Sequence, residues 1–254
     1  MKIALIQSAL VWEQPEANRN QFDEKISNLP LDIELIVLPE MFSSGFTMNP
    51  KNVAETMTGD TVQWMQKTAK FHNSALTGSL VITENGNFYN RLVFVFPSGE
   101  IQFYDKRHLF TLAGEEKIYT AGKQKLTVNY LGWKICLLVC YDLRFPVFSR
   151  NVENYDLLIY VANWPETRIL AWDSLLRARA IENLSYTIGV NRIGEDGNKL
   201  PYNGHSQLIT PLGQYLVEPQ ETEAVFIVEI DLELVQNTRK KFNFLNDADT
   251  FEIY

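Results

Sequence analysis

Cys140 stands at the end of an apolar run, Ile135-Cys136-Leu137-Leu138-Val139, that passes directly into the polar turn Tyr141-Asp142-Leu143-Arg144. Free cysteine is among the residues most often buried and inert. At the carboxyl end of a buried strand, where open α/β sheets place their chemistry, it is also a candidate nucleophile. A nucleophilic thiol needs a base, and the oxyanion it creates needs donors. Other apolar runs end in groups of that kind. Leu35–Leu38 leads to Glu40, Ile101–Tyr104 to Lys106, and Leu157–Val161 to Asn163 and Trp164. If neighbouring runs are parallel, these ends share one cleft. Glu40 alone beside the thiol would oppose its ionisation, whereas the Lys106 charge favours the thiolate. The same ammonium, with the backbone N–H of Tyr141, can hold an oxyanion.

Each residue also has a plainer reading. Glu40 after Pro39 fits a solvated loop carboxylate, and Asp105-Lys106-Arg107-His108 fits a wet surface turn. Asp142 fits the cap of a short helix, and Arg144 fits a surface ion pair. Glu115 and Glu116 are individually uninformative in a polar loop. His108 is a rival base, assigned here to a loop role. Only the joint pattern of base, cation and thiol favours a catalytic centre.

The positioning elements follow from periodicity. Lys2–Gln7, Leu35–Leu38, Ala75–Thr83, Tyr89–Pro97 and Ile101–Tyr104 read as strands. So do Lys125–Tyr130, Trp133–Val139, Leu157–Val161, Tyr186–Val190, Ser206–Thr210 and Ala224–Ile230. Continuous apolar runs indicate strands buried on both faces. Asn85-Gly86 marks a hairpin and Pro211-Leu212-Gly213 a turn. Asn18–Leu29, Asp60–His72 and Ile169–Leu184 read as helices, with a short one over Phe145–Asn151 opened by Pro146. Met41–Pro50 and Thr111–Gly122 read as loops. The tail from Asp231 is charged, then aromatic (Phe242, Phe244, Phe251, Tyr254), and is expected to pack on the body. Alternating strands and helices without repeat or linker indicate one α/β domain over residues 1–254 with mixed sheets and helices outside.

Composition narrows the partners. The 254 residues are 46% hydrophobic and 21% charged with a net charge of -8, which disfavours nucleic acid and anionic membrane. No run is long enough to span a bilayer and no signal peptide opens the chain, so the expectation is cytoplasmic. Two cysteines in a long chain are no disulfide framework, and the scattered His72, His108 and His205 show no metal-ligand spacing. No nucleotide-binding glycine pattern is present.

Taken together, Leu38-Pro39-Glu40-Met41-Phe42, Tyr104-Asp105-Lys106-Arg107-His108-Leu109-Phe110 and Cys140-Tyr141-Asp142-Leu143-Arg144-Phe145-Pro146 resemble the three motifs of the nitrilase superfamily of carbon–nitrogen hydrolases. Ala162-Asn163-Trp164-Pro165, Arg177–Asn183 and Gly204-His205-Ser206 match further landmarks, and the likeness spans nearly the whole chain. Pro39–Phe46 is similar to the omega-amidase branch. The resemblance implies a four-layer αββα sandwich of two mixed sheets, a homodimer, and no cofactor or metal. It implies Glu40 as general base, Lys106 as oxyanion donor, Cys140 as nucleophile and Glu115, rather than Glu116, as a supporting glutamate. Arg144 would bind a substrate carboxylate, with Tyr141, Phe46 and Trp164 as pocket walls. The implied reaction is hydrolysis of a small ω-amide of a dicarboxylic acid, such as α-ketoglutaramate or α-ketosuccinamate, through a cysteine thioester. A different C–N substrate (an aliphatic amide, a carbamoyl compound or a nitrile) on the same site is the alternative.

Overall fold

The computed structural model describes residues 1–252. The chain runs β1 (Lys2–Gln7), α1 (Pro15–Ser27), β2 (Leu35–Val37), α2 (Asp60–His72), β3 (Ala75–Glu84), β4 (Asn87–Val95) and β5 (Ile101–Asp105). It continues with β6 (Leu126–Tyr130), β7 (Trp133–Val139), α3 (Pro146–Ser149), β8 (Leu157–Ala162), α4 (Ile169–Asn183) and β9 (Tyr186–Asn191). The last part holds β10 (Ile193–Glu195), β11 (Pro201–Asn203), β12 (Gln207–Ile209), β13 (Tyr215–Val217), β14 (Ala224–Glu229) and α5 (Leu232–Phe242).

Twelve of these strands build two six-stranded mixed sheets, in the orders β14-β1-β2-β3-β4-β5 and β13-β12-β9-β8-β7-β6, and β10 pairs with β11. β1, β2 and β3 are parallel, and β4 is antiparallel to both β3 and β5. β2 and β5 therefore end at the same edge. In the second sheet β7, β8 and β9 are parallel.

The two sheets face each other. Ile3 and Leu5 of β1 join Leu137 and Ile159 in one buried cluster, whereas Ala4 and Ile6 join Phe22, Ile26, Val62 and Met65 of the outer helices in another. Successive side chains on β1 thus enter different cores, which is why its sequence is apolar without alternation. On the outside of the second sheet α4 presses on β9. A Cβ at Gly189 would lie 2.4 Å from Leu176 Cδ1 and 2.6 Å from Trp172 Cζ2, so glycine permits that approach. The result is the αββα sandwich.

Several elements differ from the sequence expectation, among them the unread strand β13 and the three that follow. α1 starts earlier, at Pro15, which its fixed φ suits. The segment after Asp231 is a helix: the Asp231 side chain accepts from the Glu233 N–H at 2.9 Å, and Val235 is fully buried. Arg239 fastens the helix, donating to Asp156 at 3.0 Å and to the Leu184 carbonyl at 3.0 Å. Of the aromatic tail, Phe242 lies 5.3 Å from Phe244, which stays more than half exposed, and Tyr254 lies outside the described residues. The third is the small β10–β11 hairpin, which no strand pattern signalled. Among the described residues no helix is long and apolar enough to cross a membrane.

Candidate active site

Strand ends deliver the expected side chains to one place, but through kinks. Met41, directly after Glu40, has φ 43° and Cys140 has φ 43°. Such left-handed conformations cost a non-glycine residue about 1–3 kcal/mol and persist only when the surroundings hold them. Ser79 holds the first, its Oγ accepting from the Met41 N–H at 2.8 Å. Cys140 consequently leaves the line of β7, which ends at Val139, and does not continue the face on which Cys136 lies.

Asp142 holds the second kink. Its Oδ2 accepts from the Val139 N–H at 2.9 Å and the Tyr104 hydroxyl at 2.8 Å. Its Oδ1 accepts from the His108 N–H at 3.1 Å and meets His108 Nδ1 at 2.7 Å. The His108 ring lies flat on Phe145, with centroids 3.7 Å apart. Asp142 is therefore a fully buried clip between the exits of β5 and β7, not the cap of the following helix. Asp142→Ala strands these donors and is expected to cost roughly 3 kcal/mol or more. A urea midpoint unchanged from wild type would contradict this clip.

The charged centre is built beneath Cys140. Glu40, Lys106 and Glu115 are all essentially inaccessible to solvent. Lys106 Nζ donates to Glu40 Oε1 at 3.0 Å and to Glu115 Oε1 and Oε2 at 3.1 and 2.9 Å. Glu115 Oε2 also accepts from the Phe110 N–H at 2.6 Å. Glu116 is exposed, and the glutamate in contact with Lys106 is Glu115. Glu40 Oε2 accepts from the Asn163 N–H at 2.8 Å, and the Asn163 carbonyl lies 3.9 Å from Cys140 Sγ.

Electrostatics decide the resting protonation. Burial pulls the Lys106 ammonium down, but Glu115, Glu40 and Cys140 outweigh it, and the net direction is up. Burial, reinforced by Glu40 and opposed by Lys106, pushes the Glu115 carboxyl up. Burial and then Glu40 push the Cys140 thiol well above its ordinary value, with Lys106 opposing. Lys106 thus acts in the expected direction but loses to burial and two carboxylates, and the resting group is a thiol. Iodoacetamide capture of Cys140 is accordingly expected to keep accelerating above about pH 8.5, the ordinary cysteine value. Removing the Glu40 charge with Glu40→Gln shifts that profile to lower pH. A plateau below pH 8.5 in the wild type would contradict this balance.

A cavity of about 530 Å³ opens over the thiol. Glu40, Lys106, Cys140, Tyr141, Arg144, Phe46 and Trp164 all line it, and Glu115 lies behind Lys106. Lys106 Nζ sits 5.1 Å from the Phe46 ring centroid, and the Arg144 guanidinium 4.8 Å from that of Trp164. Sequence reasoning missed Asn90, whose Nδ2 donates to Glu40 Oε1 at 2.7 Å and to Glu115 Oε1 at 3.3 Å. Its signal was a polar residue inside an apolar strand. Also missed were Arg168, Trp12 and the β10–β11 hairpin, which brings Asp196, Asn198 and Tyr202 to the cavity. Gly197 lets the hairpin close on Trp12, since a Cβ there would lie 2.4 Å from the indole.

A thiol, a carboxylate and an ammonium converging at one end of two packed sheets are the groups that covalent hydrolysis requires. The carbon–nitrogen hydrolase family matches residues 2–240, and the chain belongs to that family. Within it the enzyme is an amidase. Over its full length it is 43% identical to omega-amidase YafV of Escherichia coli, covering 99% of that protein. It is 30% identical to 2-oxoglutaramate amidase of Bacillus subtilis, with 96% of each chain covered. A CN-hydrolase superfamily protein of Xanthomonas campestris, solved with an arsenic adduct in its active site, superposes with a TM-score of 0.97 at 42% identity. That match covers 100% of this chain and 99% of the other.

Proposed function

We propose that the enzyme hydrolyses a small ω-amide of a dicarboxylic acid, such as α-ketoglutaramate or α-ketosuccinamate, to the acid and ammonia through a thioester on Cys140. The observation that carries this reading is the Glu40–Lys106–Glu115 cluster buried beneath a kinked, partly exposed thiol. Glu40 takes the thiol proton as sulfur attacks the amide carbon. Lys106 and the Tyr141 N–H hold the oxyanion. The protonated Glu40 then delivers its proton to the departing nitrogen and, once ammonia has left, activates the water that cleaves the thioester. Glu115 fixes Lys106 and keeps it charged.

The arginine of the Arg144–Trp164 pair is the carboxylate anchor, since a planar guanidinium binds carboxylate bidentately. Phe46, Tyr141 and Trp164 form the walls around the short carbon chain. The omega-amidase and 2-oxoglutaramate amidase relatives support this substrate class. Arg144→Ala is expected to lower kcat/KM for glutaramate by roughly 10- to 100-fold and to leave a neutral amide such as butanamide much less affected. Equal losses on both would remove Arg144 as the anchor, and faster ammonia release from neutral amides, carbamoyl compounds or nitriles would favour the alternative substrate classes.

The proposal includes the whole chain as one catalytic domain, since side chains of both sheets share one buried cluster. A cytoplasmic setting suits its two free thiols. A homodimer joined through the helices near the nucleophile is supported by exposed apolar side chains there, Val147 on α3 and Leu170 and Ile181 on α4.

A further inference from the structure

The polar groups lining the cavity divide by whether they already have partners. Its carboxylates are occupied. Glu40 is held by Lys106, Asn90 and the Asn163 N–H. Asp196 accepts from the N–H groups of Asn198 and Leu200 at 2.8 and 3.0 Å and from the Tyr202 hydroxyl at 3.1 Å. Glu13 accepts from Thr47 Oγ1 at 2.5 Å and from Asn52 Nδ2 at 3.4 Å. Lys106 is occupied by Glu40 and Glu115. Two cations remain, Arg144 and Arg168, and both are half-buried in the cavity wall. Among the described residues neither guanidinium has an ion pair or a hydrogen bond. Each rests instead on an aromatic ring, Arg144 on Trp164 and Arg168 on Phe110 at 5.1 Å.

A guanidinium stacked on a ring keeps its edge N–H donors free while its position is fixed, which preorganises it for a planar anion. The seat of Arg168 is itself rigid. The Phe110 N–H is tied to Glu115 Oε2, and the Phe110 ring meets Tyr141 edge to face at 5.0 Å. Arg168 is therefore linked through one intervening ring, Phe110, to the residue whose N–H would hold the oxyanion. A second free cation is more than a single anchor requires, and among the described residues no carboxylate lies within ion-pairing distance of it.

We infer that Arg168 is a specificity-determining residue that, with Arg144, forms a two-guanidinium clamp on the anionic end of the substrate. The inference rests on the ω-amide reading and adds a second recognition arm to it. The clamp selects short amides whose far end carries a carboxylate, and it acts on binding rather than on the thiol chemistry.

The test compares wild type, Arg168→Gln and Arg168→Lys on glutaramate and on butanamide, which lacks the carboxylate. Arg168→Gln is expected to raise KM for glutaramate by roughly 10- to 100-fold, the loss of one charge-assisted contact, with little change in its kcat. The kcat/KM for butanamide stays near wild type, and Arg168→Lys recovers part of the loss on glutaramate. Equal losses on both amides, a fall in kcat alone, or no change in KM would overturn the clamp. A wild-type enzyme that prefers glutaramate while Arg168→Gln leaves this preference intact would sink the clamp and spare the ω-amide reading. A wild-type enzyme without that preference would sink both.

Discussion

Glu40→Gln is expected to lower kcat for amide hydrolysis by roughly 10²–10⁴-fold while leaving the fold in place. The substitution keeps the side chain's shape, although its one oxygen can serve either the Asn163 N–H or the donors Lys106 and Asn90, not both sides. What it removes is the proton acceptor. That loss is severe here because burial, the largest influence on the Cys140 thiol, still favours its protonated form once the Glu40 charge is gone. A site with a preformed thiolate would use the base mainly to protonate the leaving group and activate water. This one needs it for the first bond as well. The variant's slow turnover should therefore show a defect in acylation and in deacylation, read by single-turnover kinetics. Activity within a fewfold of wild type would show that another group takes the proton.

Lys106→Met is expected to damage both activity and stability. Lys106 is the cation between two buried carboxylates, Glu40 at 3.0 Å and Glu115 at 2.9 Å. Removing one member of a buried ionic cluster typically costs about 3–5 kcal/mol, because the remaining charges stay out of water. The pH dependence has a definite sign. Glu115 is already raised by burial against the pull of Lys106, so without the lysine its folded-state value rises further. A carboxyl whose folded value lies above its unfolded value binds more protons when folded. It stabilises below the unfolded value of about 4.3 and loses that contribution as pH rises. The stability gap between Lys106→Met and wild type should thus widen from pH 5 to pH 8 in urea titrations. Lys106→Met combined with Glu115→Gln should regain stability without regaining activity. A gap that narrows as pH rises would contradict the buried-cluster account.

The legible part of the fold was the part carried by continuous apolar runs. β1, β7, β8 and β9 are buried on both faces, and such strands leave a plain signature. The helix α5 was read only as a charged and aromatic tail, although Val235 and Thr238 bury one face of it. The β10–β11 hairpin is short and polar, and its placement depends on Trp12 meeting Gly197 rather than on local propensity.

The convergence of Glu40, Lys106 and Cys140 was legible from strand ends and motif order. Their supports were not. Asp142 has the sequence context of a helix cap, and only the fold brings Tyr104 and His108 to it. Asn90 reaches Glu40 across fifty residues of chain. The left-handed turns at Met41 and Cys140 carry no glycine to announce them. The resting state of the thiol also depended on burial, which the order of residues does not contain.

The thioester on Cys140 is tested by mass spectrometry of the enzyme quenched during turnover of α-ketoglutaramate. An acyl adduct is expected, confined to the peptide that carries Cys140. No adduct is expected on Cys136, whose thiol burial pushes up, and neither adduct nor ammonia from Cys140→Ala. Steady turnover by Cys140→Ala, or an adduct on another residue in the wild type, would rule out Cys140 as the nucleophile.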